Sequence, residues 1–321
     1  MPAGALTTVG IGDDSAVVTT PSGSVVAAVD LLIEGRHFRR EWSSAYDVGV
    51  KAAARSLADI AAMGAVNTAL LVALATPGTL PARWAAELAA GLAFEATRAG
   101  AGVVGGDTAR ADIITLSVTA LGDLEGRRPV LRSGARPGDV IAVAGLLGRA
   151  AAGLALLTAG VAQAPAAPSS PAALSSPEAL SSPEALSSLV AAQLRPAPPY
   201  DAGPEAARLG ATAMIDVSDG LLADLGHLAA ASGVHVNVRT ARLAPGPALR
   251  EAAASLPGSA ASSMALEWVL TGGEDHALVA AFPPGVTLPA RWRVIGEVNS
   301  GAGVTVDGAP HEGPAGWQHF R

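Results

Sequence analysis

Apolar positions along the chain follow two periods in turn. Val25 to Ile33 (VVAAVDLLI) is continuous and β-rich, broken only by Asp30, and reads as a buried strand. From 45 to 63 the spacing becomes helical. Val48, Ala52, Arg55 and Asp59 recur at steps of four, three and four, which places them along one face. Ala69 to Ala75 predicts a second strand, and Pro81 to Ala99 a helix with proline in its first turn. Val103-Val104 leads into Gly105-Gly106-Asp107-Thr108, and Ile113 to Leu121 predicts a further strand. This β-α-β-α-β order implies an α+β or α/β domain.

A turn follows at Arg136-Pro137-Gly138-Asp139, and the domain boundary is expected there, separating residues 1–136 from 137–321. Asp139 to Ala144 predicts a strand, Gly145 to Gly148 a turn, and the next residues a helix to about Gly160. Residues 163–192 differ in kind. "PAALSSPEALSSPEALSS" repeats every six residues, with proline at 171, 177 and 183, which forbids one continuous helix. An Ala/Ser/Pro tract of this kind buries little and is expected to be a dispensable surface loop. The second domain resumes through 213–239, 266–282 and 293–306. Within it, Ala213-Met214-Ile215 ends in Asp216-Val217-Ser218-Asp219-Gly220, after which Leu221, Leu222, Leu225 and Leu228 mark the buried face of a helix. Asp219 and Gly220 fit the helix start, where the backbone dipole favours anions such as phosphate.

Composition narrows the chemistry. The chain has 321 residues, 50% hydrophobic and 15% charged, with net charge −7. No apolar run reaches the roughly 18 residues of a membrane span, and the N-terminus carries no recognisable secretory pattern. Lys51 is the only lysine and no basic tract occurs, which argues against a nucleic-acid surface. The absence of cysteine excludes disulfides and thiolate metal sites and fits a cytoplasmic protein. A Walker A loop is impossible without its lysine, and there is no kinase-type glycine loop or G-x-S-x-G elbow.

What remains is acidic. Asp13-Asp14 lie in "GIGDDSAVV", Asp30 in "VAAVDLLIEGRHF", Asp59 in "SLADIAAMGA" and Asp107 in "VVGGDTA". Asp216 and Asp219 lie in "MIDVSDG", and Glu274-Asp275 in "LTGGEDHAL". Singly, each fits a turn or a cap. Together they are carboxylates beside apolar segments with few basic partners, and hard cations are their natural counter-charge. Oxygen ligands without cysteine suit Mg²⁺, which commonly bridges to phosphate.

In this order the motifs resemble those of the thiamine-monophosphate kinases, members of the aminoimidazole ribonucleotide synthetase-like superfamily. "GIGDDSAVV", "VDLLIEGRHF", "ADIAAMGA", "GGDTA", "RSGARPGD", "IDVSDGLLADLGHLAAASG" and "LTGGEDHAL" carry the likeness over nearly the whole chain, apart from 163–192 and part of 240–262. The resemblance implies a two-domain PurM-like architecture, with an N-terminal sheet domain that binds ATP and Mg²⁺ and pairs in a homodimer. It implies a C-terminal α/β domain and ATP-dependent phosphorylation of thiamine monophosphate to thiamine diphosphate. Carried across by motif, Asp14, Asp30, Asp59, Asp107, Asp216 and Asp219 would bind several Mg²⁺ ions. Gly106, Asp107, Arg132 and Ser218 would contact ATP, and His37, Glu274 and Trp317 the thiamine substrate.

The acceptor in such a reaction is a phosphate oxygen already anionic near neutral pH. In-line positioning and metal neutralisation then suffice, with no assigned general base. Some positions depart from the family pattern. Ala28 and Val29 replace hydroxyl residues before Asp30, the family's N-L-S-D reads Ser56-Leu57-Ala58-Asp59, and His276 replaces an aromatic ring after Asp275. The alternatives are another ATP-dependent synthetase of the superfamily and a non-catalytic nucleotide-binding relative.

Overall fold

A computed structural model describes residues 4–9, 15–163, 182–257 and 261–317. The chain separates into two compact units, Met1–Pro129 and Val130–Arg321. The division falls a few residues before the Pro137 turn, because Leu131 already belongs to the second unit: its carbonyl accepts the Met214 N–H at 2.9 Å.

The first unit runs β1 (Thr7–Val9), β2 (Val17–Val18), β3 (Val26–Ile33), α1 (Ala45–Ala62), β4 (Val66–Thr76), α2 (Ala82–Arg98), β5 (Gly102–Arg110) and β6 (Thr115–Asp123). Strands β1 and β2 form a small ribbon of their own, and the main sheet has the order β3-β6-β4-β5, with only β4 and β5 parallel. Helix α1 starts at a capping box: the Ser44 hydroxyl accepts the Asp47 N–H, and the Asp47 carboxylate accepts the Ser44 N–H at 2.9 Å. Its apolar side, including Val48 and Ala52, is buried against β3 and β6. Helix α2 crosses it closely enough that a Cβ on Gly91 would lie 2.1 Å from the Tyr46 carbonyl oxygen. Pro81 turns out to be the N-cap of α2, just ahead of the first helical turn. With both helices on one face, the other face of the sheet leaves Val29 (64%) and Leu31 (53%) exposed.

The second unit runs β7 (Val140–Ala144), α3 (Arg149–Thr158), α4 (Ser182–Leu194), α5 (Ala202–Arg208), β8 (Ala213–Val217), α6 (Leu221–Ser232) and β9 (His235–Val238). It continues with α7 (Pro247–Ser255), α8 (Ala261–Thr271), β10 (Ala277–Phe282), β11 (Trp292–Asn299) and β12 (Gly303–Val306). Six strands form a mixed sheet in the order β12-β9-β11-β7-β10-β8. Helix α6 touches β8 at one edge and β12 at the other, so the sheet wraps around it. Its buried positions include Leu221, Leu222, Leu225 and Leu228, the stripe expected from sequence.

The repeat tract is corrected at its C-terminal end. Residues 164–181 lie outside the described residues, but α4 begins at Ser182 and runs through the last repeat. Pro183 falls in the first turn, where its missing N–H costs nothing. Leu189 and Val190 are fully buried. Helix α3 packs on α4 so tightly that a Cβ on Gly153 would lie 2.2 Å from the Leu189 carbonyl oxygen, and Arg149 donates to the Ser188 hydroxyl at 2.9 Å. A deletion reaching residue 190 therefore removes core. Leu189→Ala is expected to cost about 2–5 kcal/mol, read as a lowered urea midpoint at unchanged m-value; an unchanged midpoint would show that α4 is not part of the folded core.

Candidate active site

In the second unit the site residues gather at the end of edge strand β8. All five residues of that strand are buried, Asp216 included at 3% exposure. A carboxylate so placed needs a partner, and Asp216 Oδ2 lies 3.0 Å from Nδ1 of His276. His276 is brought there by the backbone, its N–H donating to the Val217 carbonyl at 2.9 Å. The preceding turn holds two non-glycine residues in the left-handed region, Glu274 at φ 70° and His276 at φ 51°. Such positions carry strain that the surroundings must offset. Glu274 N–H donates to the Ser218 carbonyl at 2.8 Å, and a Cβ on Gly273 would sit 2.5 Å from that same oxygen.

The loop after β8 is organised by Asp224, in the first turn of α6. Asp224 Oδ2 accepts the N–H groups of Ser218, Asp219 and Gly220, each at 3.1 Å. The expected anion-binding helix start is thus occupied from within, by a carboxylate one turn along α6. Burial pushes the Asp224 carboxyl up to about 7, helped by the charge of Asp216, against the pull of the amides. The sequence signal was an aspartate four residues after Gly220, in the first turn. Asp275 plays the same part at the start of α3, where its two oxygens accept the Gly148 N–H at 2.5 Å and the Ala150 N–H at 2.9 Å. The residue retains some accessible surface, but its carboxyl is densely surrounded, and this pushes it up to about 7.

The C-terminal segment closes on this loop. Trp317 N–H donates to the Asp219 carbonyl at 2.9 Å, the Ala223 N–H donates to the Ala315 carbonyl at 3.2 Å, and the Trp317 side chain is 66% exposed. Ser218, Asp219, Glu274 and Trp317 are therefore joined through backbone contacts around one loop. Arg132 is exposed, and its carbonyl accepts the Ser232 hydroxyl at 3.0 Å, which ties its segment to the end of α6.

In the first unit, Asp30 faces α1. Its Oδ2 accepts the Ser56 hydroxyl at 2.9 Å, and its Oδ1 lies 3.8 Å from the Arg55 guanidinium. Asp59 follows one turn along the same helix and is partly accessible. The register runs Asp30–Val118–Val72–Gly106 across the sheet, with Asp107 one residue on, exposed. Three strand spacings, roughly 14 Å, separate that row's ends, so Asp30 and Asp107 do not share one ion. His37 sits in the turn after β3, where its Nδ1 accepts the Ile33 N–H at 3.0 Å. Asp13 and Asp14 lie outside the described residues.

The donor set is wholly carboxylate oxygen, the chemistry of a hard cation. Among the described residues, no three His, Asp or Glu side chains cluster closely enough to hold a metal by themselves.

Asp224→Ala would leave three loop amides without their acceptor. It is expected to cost at least about 2 kcal/mol and to speed hydrogen exchange at 218–220 selectively. Wild-type exchange there would show that the amides do not depend on Asp224.

The family model described as "AIR synthase related protein, N-terminal domain" matches residues 12–124. Over 312 residues, 97% of this chain and 85% of the relative, the sequence is 47% identical to the thiamine-monophosphate kinase of Mycobacterium tuberculosis. A crystal structure of thiamine-monophosphate kinase from Stenotrophomonas maltophilia superposes with TM-score 0.79 at 34% identity, covering 96% of this chain and 93% of that one. "AaThiL complexed with AMPPCP and TMP" superposes with TM-score 0.79 at 32% identity, covering 97% and 92%. With this identity sustained along its length and the same motifs in the same order, the chain belongs to the thiamine-monophosphate kinase family.

Proposed function

We propose that the protein transfers the γ-phosphoryl group of ATP to thiamine monophosphate, giving thiamine diphosphate and ADP. The observation that carries this reading is the single loop that joins Ser218 and Asp219 to Glu274 and Trp317. It sets acidic groups suited to a metal-bound phosphate beside an exposed indole. A thiazolium ring is cationic, and an aromatic face with a nearby carboxylate attracts such a cation. The relative solved with AMPPCP and TMP supports the same pair of substrates.

In this reading a phosphate oxygen of thiamine monophosphate attacks the γ-phosphorus. The bond from that phosphorus to the β–γ bridging oxygen breaks, and ADP leaves with the electron pair. The attacking oxygen is already anionic, so no side chain takes a proton. Gly106, Asp107, Arg132 and Ser218 hold ATP, while His37, Glu274 and Trp317 hold the acceptor. Because Nδ1 of His37 is taken by the Ile33 N–H, its neutral ring carries the proton on Nε2, a donor for phosphate. Asp14, Asp30, Asp59, Asp107, Asp216 and Asp219 are assigned to Mg²⁺, which when bound neutralises charge on the phosphates. The enzyme so read works in the cytoplasm, where ATP and Mg²⁺ are supplied; among the described residues no helix is long and apolar enough to cross a membrane. The first unit, Met1–Pro129, is read as the N-terminal ATP- and Mg²⁺-binding domain, and the second, Val130–Arg321, as the C-terminal domain.

Purified protein given ATP, Mg²⁺ and thiamine monophosphate is expected to form thiamine diphosphate, with formation abolished by EDTA. Tight binding of Mg-ATP without any turnover would instead favour a nucleotide-binding role.

The homodimer is assigned to the uncovered sheet face of the first unit. Val29 and Leu71 flank Thr119 in one cross-strand row there, and Leu31 lies beside them, all exposed and apolar. A face of this kind is costly in water and is suited to a second copy of itself. Val29→Asp combined with Leu31→Asp is expected to halve the mass seen by sedimentation. A monomeric wild type, or a double variant that stays dimeric, would place the contact elsewhere or remove it.

A further inference from the structure

His276 is buried at 2% exposure, and its ring is committed on one side only. Nδ1 lies 3.0 Å from Asp216 Oδ2, while Nε2 is buried and makes no hydrogen bond among the described residues. An ionised carboxylate only accepts, so Nδ1 must carry the hydrogen in either charge state of the ring. The backbone at His276 is left-handed, at φ 51°. The position thus pays twice: once in backbone strain and once in an unpartnered ring nitrogen. An apolar ring would fill the same space without leaving a buried ring nitrogen unpartnered, so packing alone does not account for a histidine here. What the arrangement secures is one fixed orientation of the Asp216 carboxylate, with Oδ2 tied to the ring and Oδ1 left outside that bond.

We propose that His276 is a positioning residue for metal binding: through its Nδ1–H it holds Asp216 in the rotamer that presents a carboxylate oxygen to the cation accompanying the substrate phosphates. The inference rests on the assignment of Asp216 to Mg²⁺ made above. Carboxylate ligands are generally oriented by such outer hydrogen bonds, and losing the partner weakens metal binding without removing a ligand. His276 also sits next to Asp275 and two residues from Glu274. The turn that anchors α3 and carries the acceptor-side carboxylate therefore sets the metal ligand as well.

The test measures Mn²⁺ binding to the full-length protein by electron paramagnetic resonance, with ADP present, for wild type and three variants. His276→Phe is expected to weaken binding about 10-fold or more. His276→Asn, whose side-chain amide nitrogen stands the same number of bonds from Cβ as Nδ1, is expected to recover most of that loss. Asp216→Asn is expected to weaken binding at least as much as His276→Phe. Wild-type affinity in folded His276→Phe, with Asp216→Asn impaired, would overturn the positioning role and leave Asp216 a ligand. Wild-type affinity in Asp216→Asn would overturn the metal assignment and the inference with it. Equal loss in the Phe and Asn variants would show that the ring is needed for packing and not for its Nδ1–H, and would also overturn the proposal. If the Phe variant fails to fold, ¹⁵N-histidine spectra of the wild type decide. The buried ring is expected to show a protonated Nδ1 whose signal moves when Mg²⁺ is added with ADP; a signal that stays fixed would count against the proposal.

Discussion

The second unit is built around the problem of keeping several carboxylates apart at the end of one strand. Asp216 lies near the end of β8, Asp219 in the loop after it and Asp224 in the first turn of α6, while Glu274 and Asp275 lie in the turn before β10, which pairs with β8. Left to themselves, like charges in partly buried surroundings would repel by about 4 kcal/mol per close pair at intermediate dielectric. The fold gives three of them separate donors. Asp224 takes three loop amides, Asp275 takes the first amides of α3, and Asp216 takes the His276 ring. The glycines around the loop follow from this constraint. A Cβ on Gly316 would stand 2.4 Å from the Asp219 carbonyl oxygen, and one on Gly273 2.5 Å from that of Ser218. Only bare backbone can approach those two loop carbonyls so closely.

The same logic recurs in the first unit at lower burial. Asp30 interrupts an apolar strand, and the structure supplies Ser56 and Arg55 from α1 to receive it. Ser56 stands at one of the positions where the sequence departs from the family pattern, and so does His276. Each lies in the immediate surroundings of an aspartate assigned to metal, so the departures change the partners of those carboxylates and leave the carboxylates in place. Ala28 contributes no side-chain oxygen. The neighbouring Val29 faces away from the helices, on the uncovered side of the sheet.

Much of this was legible in the sequence where one periodicity acted alone. The face of α1 carrying Val48 and Ala52, the leucine stripe of α6 and the strands around Asp30 and Asp216 follow from local pattern. Helix α4 was hidden because its first half shares a repeat whose prolines argue against any helix. Its most deeply buried residues, Leu189 and Val190, come only after the last proline of the repeat. The strand order of the second sheet is also invisible locally, since β7 lies between β10 and β11, whose residues are more than a hundred positions away. Of the site, the motifs named the aspartates but not their partners. Asp224 had one local signal, its place four residues after Gly220, whereas Asp275 and His276 act through contacts that chain spacing does not encode, across the turn and the sheet edge.

Asp224 has a consequence for what the loop can accept. A helix start with unpaired amides is ordinarily a place for bare phosphate. Here the amides of Ser218, Asp219 and Gly220 are already satisfied by a carboxylate, and Asp216 and Asp219 add negative charge beside them. A phosphate arriving without a cation meets repulsion and finds no free donors at those three amides. A phosphate arriving with Mg²⁺ meets carboxylates suited to the cation. On the assignment proposed for Asp216 and Asp219, the internal cap would favour a metal-bound phosphate over a bare one. It also keeps the loop in one shape before substrate arrives, so that little ordering remains to be done when phosphate and cation bind together.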